Sequence, residues 1–134
     1  MRLLTVTVGL ALAAGAAAQE QPAQNGRFLL FFDWGKPDIR SDDAETLDQA
    51  AAAWRARPSI HLQIAGHTDR SGSPATNRRA GLKRAGTVLA ELEKRGVPRN
   101  AMSVASFGEE QPLVPTDDGV REVQNRRVVI ELKE

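Results

Sequence analysis

The sequence has 134 residues, with 18 Lys and Arg against 17 Asp and Glu, 41% apolar side chains and no cysteine. That length suits one domain, and the apolar share belongs to a globular chain rather than a disordered tail. The near-zero charge gives no long-range pull toward nucleic acid or acidic membranes, and without cysteine there is no disulfide, no thiol nucleophile and no site for an N-terminal lipid thioether.

Met1-Arg2, the uncharged run Leu3 to Ala18 and its closing Ala16-Ala17-Ala18 form the pattern of a secretory signal peptide over residues 1–18, cleaved near Gln19. The run is shorter and less apolar than the roughly 20 residues that span a bilayer. Export to the periplasm is therefore expected, with a mature chain of about 115 residues, enough to bury one core. Losing Arg2 balances the charges at 17 basic and 17 acidic side chains. Residues 19–26 are polar, contain Pro and Gly, and read as a flexible leader before a domain over residues 27–134.

Phe28 to Phe32 is a continuous apolar run ended by Asp33-Trp34-Gly35-Lys36-Pro37, which predicts a central strand buried on both faces. Ser41 with Asp42, Asp43 and Glu45 predicts a capped helix start. That helix runs to about Arg55, with Leu47, Ala50, Ala51 and Trp54 as its buried stripe. Ile60, Leu62 and Ile64 alternate with His61 and Gln63 as a second strand, which Gly66 ends. Ser73-Pro74 opens a long helix that Gly96 closes, with Leu82, Ala85, Leu89 and Leu92 inward. Met102 to Phe107 predicts a third strand, residues 109–124 a surface loop with one helical turn, and Arg127 to Leu132 a last strand. The fold class is α/β (an α+β sandwich), in the order β-α-β-α-β-loop-β, with two helices packed on a mixed sheet.

Chemistry concentrates between Ile64 and Ala85. Asp69 lies just past the second strand, before a helix N-terminus, and Asn77, Ala80, Gly81 and Arg84 fall on one stripe of that helix with small residues between the polar ones. A carboxylate holds an ammonium and a guanidinium holds a carboxylate, so Asp69 and Arg84 together suit a zwitterion. Taken alone, Asp69 is better read as a turn residue bonding its own backbone, and Arg84 as one more solvated helix cation beside Arg78, Arg79 and Lys83.

Gly66-His67-Thr68-Asp69, then Gly72, Asn77 and Arg84-Ala85, resembles the OmpA C-terminal-like domain family of peptidoglycan-binding modules. Phe31-Phe32-Asp33 resembles that family's first strand, Phe107 to Pro112 its glycine, glutamate and proline turn, and Asn125-Arg126-Arg127-Val128 its closing strand. The resemblance implies non-covalent binding of the stem peptide of peptidoglycan through meso-diaminopimelate, clamped by Asp69 and Arg84. It further implies that Thr68 and Asn77 line the pocket, that Asp33 and its loop form a wall, and that one of Arg126 and Arg127 reaches the ligand while the other supports the fold, the choice being open. His67 is expected to be structural. An outer-membrane protein is a candidate partner. Departures from the family pattern are Thr76 where an aromatic is common, Ala80-Gly81 in place of Leu-Ser, and Gly35 where a polar side chain often sits.

Two other readings compete. A metal enzyme built on His61, His67 and Asp69 has poor ligand spacing and no third strong ligand at a recognised interval, so no cofactor, metal or catalytic residue is expected. An envelope interaction module that keeps the fold without the peptidoglycan site is the other. Export and balanced charge oppose a nucleic-acid partner.

Overall fold

The computed structural model describes residues 26–134. The expectations for the signal peptide and for residues 19–25 of the leader lie outside the described residues.

Four strands and two helices follow one another as β1 (Arg27–Phe31), α1 (Ala44–Ala56), β2 (His61–His67), α2 (Pro74–Lys94), β3 (Met102–Gly108) and β4 (Arg127–Lys133). They form one mixed sheet in the order β1-β4-β2-β3, with β4 antiparallel to both β1 and β2, and β2 parallel to β3. This is the predicted α+β arrangement. The long connection before β4 inserts that strand between β1 and β2, and this insertion brings the loops after β1 and β2 beside the start of β4.

Both helices cover the face that carries Phe28, Leu30, Leu62, Ile64, Val128 and Ile130, against Leu47, Ala50 and Ala51 of α1 and Ala85, Val88, Leu89 and Leu92 of α2. Each fully buried Leu or Ile there stabilises by roughly 1.5–3 kcal/mol, whereas the exposed ion pairs of the surface contribute about 0–1 kcal/mol each. The seam between helices and sheet therefore dominates stability.

Several elements differ from expectation. β1 is an edge strand with alternating burial, not a central one. Its apolar run is continuous because Leu29 and Phe31 face the uncovered side of the sheet, where they are half-buried. Ser41 does not cap a helix; residues Ser41–Asp43 make a 3-10 turn, and the Asp43 carboxylate instead accepts the N–H of Phe31 at 3.1 Å. Desolvation raises the pKa of Asp43 against that bond. Leu82 is 48% exposed, and Val88 takes the inward place assigned to it, because the buried stripe of α2 runs Asn77, Gly81, Arg84, Ala85, Val88. Trp54 is half-buried at the margin of the core.

The start of α2 follows the sequence closely. Ser73 accepts the N–H of Thr76 at 3.2 Å, and Pro74 takes the first turn. At its end Gly96, with φ 98°, closes a Schellman turn in which Val97 N–H reaches Leu92 O and Gly96 N–H reaches Glu93 O, both at 3.1 Å.

Candidate functional site

β2 ends at His67, just before the site, and it approaches α2 closely there. Gly66 and Gly81 face each other there. A Cβ on Gly66 would lie 1.8 Å from the carbonyl oxygen of Gly81, so the helix backbone rests directly on the strand. The small residue Gly81 between Asn77 and Arg84 is taken up by this contact. The contact also accounts for Gly81 where the family pattern has a larger residue.

Beyond Gly66, Thr68 donates its N–H to Gly108 O at 2.8 Å, continuing the link to β3 for one more residue. Asp69 then turns inward and is 2% exposed. Its Oδ1 accepts from Ser71 N–H at 3.1 Å and Ser71 Oγ at 2.6 Å, and its Oδ2 accepts from Glu122 N–H at 3.1 Å and Arg126 Nη1 at 2.8 Å. Burial alone would raise the Asp69 pKa, but the bonds from Ser71, Arg126 and the Glu122 backbone together hold it below the ordinary carboxylate value. Asp69 is thus an anion fixed on four donors.

Arg84 comes from the third turn of α2 and is 5% exposed. Its Nε donates to Lys36 O at 3.2 Å, while Nη2 reaches Asp33 O and Nη1 reaches His67 O, both at 3.4 Å. The guanidinium lies 5.3 Å from the centre of the Phe32 ring. Desolvation and then the positive charge of Arg126 lower its pKa, while the Asp69 charge acts in the opposite sense; it remains cationic at any physiological pH. Its partners are carbonyls, two of them at long range, which a carboxylate with a full charge would outcompete.

Arg126 joins the two halves, donating Nε to Phe32 O at 2.9 Å and Nη1 to Asp69. Arg127, the next residue, projects to the other side: it donates Nη2 to Gln111 O at 3.0 Å and Nη1 to Asn125 O at 3.4 Å. The structure therefore brings Asp69, Arg84 and Arg126 together and sends Arg127 elsewhere. Asp33 contributes its carbonyl to Arg84 and leaves its side chain exposed. Asn77 is committed to scaffolding: its amide donates to Asp69 O and Gly72 O, each at 3.2 Å, and to Glu109 Oε1 at 2.7 Å. Thr68 Oγ1 is buried with no hydrogen-bond partner among the described residues. His61 and His67 occupy opposite ends of β2, about 20 Å apart at strand rise, so they do not converge with Asp69.

The rim of the site carries Trp34 and Arg121, which no motif in the sequence marks. Trp34 Nε1 donates to Ser71 Oγ at 3.0 Å, and the Arg121 guanidinium stacks 3.5 Å from the Trp34 ring centre. A chain of bonds thus runs from Trp34 through Ser71 to Asp69. The spacing Asp69-x-Ser71 is a recognisable side-chain turn, whereas the Glu122 contact is made by a backbone N–H and leaves no trace in residue type. The loop carrying Arg121 and Glu122 is anchored by Gly119 N–H to Arg70 O at 2.7 Å and by Arg70 Nη1 to Thr116 O at 3.0 Å. Asn125 completes it, accepting Leu113 and Val114 N–H at 2.7 and 2.8 Å and donating to Val114 O at 2.8 Å.

Comparison with known proteins fits this geometry. The chain is 39% identical over 125 residues to a peptidoglycan-associated lipoprotein of Rhizobium meliloti, covering 90% of the chain and 70% of that relative. It is 36% identical over 115 residues to an outer membrane protein of Gluconacetobacter diazotrophicus, of which it spans 30%, so less than a third of that relative's length is represented. Among solved structures, the peptidoglycan-associated lipoprotein from Burkholderia pseudomallei superposes with a TM-score of 0.73 at 30% identity, covering 78% of this chain and 89% of that one. The C-terminal domain of Helicobacter pylori MotB, at 24% identity, shares the fold with a TM-score of 0.69, over 78% of this chain and 82% of that one. The model of the OmpA family matches residues 31–126, which include Asp69, Arg84 and Arg126, both helices, β2 and β3: the chain belongs to the OmpA family.

Proposed function

We propose that this domain binds peptidoglycan non-covalently in the bacterial envelope, and that it does so by gripping the amino-acid end of meso-diaminopimelate in the stem peptide. The observation that carries the reading is the convergence of a buried carboxylate, Asp69, and two guanidiniums, Arg84 and Arg126, at the mouth formed by the loops after β1 and β2. The names of the lipoprotein relatives associate those proteins with peptidoglycan, which supports the same class of ligand.

In this reading the ligand carboxylate takes Arg84, displacing its long bonds to Asp33 O and His67 O. The ligand ammonium takes Asp69, and Arg126 gives up its place on Oδ2 to turn toward the ligand carboxylate. Exchange of one cation for another on Asp69 keeps the buried carboxylate paired throughout, which avoids the cost of several kcal/mol of an uncompensated buried charge. No bond to the ligand is made or broken covalently, so the role is retention and not catalysis. An exported chain with this site would act in the periplasm, beside the outer membrane that the relatives' names invoke.

Co-sedimentation with purified diaminopimelate-type sacculi tests the reading. Wild type should pellet with the sacculi, while Asp69→Asn and Arg84→Lys, both close in shape, should remain in the supernatant. Unchanged pelleting of both variants would sink the site assignment.

A further inference from the structure

The face of the sheet away from the helices holds a groove of about 300 Å³, the lower end of the size of ligand sites. Its floor is Ala65 and Val129, which pair across β2 and β4. At one end sit Arg127 and His67, also cross-strand partners, with Phe107 stacked on the imidazole at 5.4 Å between ring centres. At the other end lie Arg27 and Lys133, flanking Glu131 at 3.5 and 3.8 Å.

The end at Arg127 is electrostatically incomplete. Arg127 is 7% exposed, yet its two hydrogen bonds go to backbone carbonyls and neither to a carboxylate. Desolvation, followed by repulsion from Arg27, lowers its pKa. Glu131 stands four residues along the same strand, about 13 Å away, and is already flanked by two other cations. His67 is 4% exposed, and its Nδ1 is buried without a partner among the described residues. A buried guanidinium held only by carbonyls beside an open groove is a group whose complement is an anion.

We propose that this groove is a second binding site, separate from the Asp69 cluster, which takes an extended acidic peptide segment of a partner protein. The occupant follows from charge and spacing. Three cations against one carboxylate favour an acid, the Ala65–Val129 floor favours a small apolar side chain, and along β4 the step from Arg127 to Glu131, the cross-strand partner of Arg27, is four residues of extended chain, about 13 Å, which matches positions i and i+4 of an extended ligand. An acidic, apolar, acidic pattern at i, i+2 and i+4 places all three side chains on one face of such a segment.

Backbone amide NMR on the purified chain tests this with acetyl-Glu-Ala-Val-Ala-Glu-amide and its Gln-for-Glu counterpart. The acidic peptide should produce saturable shifts at Ala65, His67, Arg127 and Val129, and the neutral peptide should bind at least tenfold more weakly. Arg127→Gln should weaken the acidic peptide at least tenfold. Should Arg127→Gln fail to fold, Arg27→Gln with Lys133→Gln, both half-exposed, should weaken it severalfold on an intact sheet. Asp69→Asn should leave these shifts in place whether or not it abolishes sacculus binding. Equal binding of the two peptides, shifts confined to the Asp69 loop, no saturable shift, no weakening in the folded variants, or the same shifts from a short oligothymidylate would each overturn the proposal.

Discussion

Gly66→Ala is the sharpest test of how the site is held. The added Cβ would stand 1.8 Å from Gly81 O, 2.5 Å from Gly81 C and 2.9 Å from Gly81 Cα, all backbone atoms. Restoring an ordinary ~3.5 Å contact requires α2 to move by roughly 1.5 Å from the strand, against the core contacts of Ala85, Val88 and Leu92. Overpacking costs about 1–3 kcal/mol when flexible side chains yield, and backbone yields less readily, so ~3 kcal/mol is expected. For a domain of this size that corresponds to a melting temperature lower by about 10–15 °C. Gly81→Ala provides the contrast. Its Cβ would meet the Ser106 hydroxyl at 2.3 Å and Gly66 O at 3.0 Å; the hydroxyl is a rotatable group, and alanine recovers ~1 kcal/mol of helix propensity. Turning the Ser106 hydroxyl away loses its bonds to Arg78 O and from Gly108 N–H, about 1 kcal/mol each, so the net loss should be only about 1 kcal/mol. Thermal unfolding followed by circular dichroism should rank Gly66→Ala far below Gly81→Ala. A Gly66→Ala protein melting within 3 °C of wild type would refute the close-packing account.

Asn125→Ala should lose about 2–4 kcal/mol in urea unfolding, since it strands three backbone groups that the buried amide satisfies, and it should open residues 109–124 to proteolysis; a loss under 1 kcal/mol would contradict that role. His67 gives a pH signature: burial, then Arg127, depresses its pKa from 6.5 to about 4. A base with a lowered folded pKa contributes stability in full above pH 6.5 and loses it as pH falls from 6.5 toward 4. His67→Gln should therefore flatten the stability curve in that window, and a His67 ring titrating near its ordinary value by NMR would exclude the effect. Asp69 acts at lower pH. Its folded pKa lies below 3.8, so its contribution is complete above that value and is lost as pH falls beneath it; Asp69→Asn should remove that acid limb, and an identical curve in the variant would show the carboxylate to be uncoupled from folding.

Much of the architecture was legible because it rests on local signals. Ser73-Pro74 and Gly96 marked both ends of α2, and the alternation of Ile60, Leu62 and Ile64 gave β2 with its inward face. Asp69 and Arg84 were likewise visible, since their residue types and spacing imply charge at a strand end and on a helix stripe. The rest depends on pairing across the chain. Whether Phe28 to Phe32 is central or at an edge is decided by β4, which arrives a hundred residues later and inserts beside it. Arg126 and Arg127 are indistinguishable as letters; their opposite directions follow from the pleat once β4 has its register. The hold of Asp69 on Glu122 is a backbone contact across a long loop, and Gly66 against Gly81 is a meeting of two residues whose lack of side chains says only that something comes near.

The most direct measurement compares two tripeptides by titration calorimetry: L-Ala–γ-D-Glu–meso-diaminopimelate and its L-Lys counterpart, which differ by one terminal carboxylate. If Arg84 receives that carboxylate in a desolvated pair, losing it costs roughly 2–5 kcal/mol. The diaminopimelate peptide should then bind at least tenfold more tightly than the lysine peptide, and Arg84→Lys should erase most of the difference. Equal affinities for the two peptides in the wild-type protein would contradict the central claim.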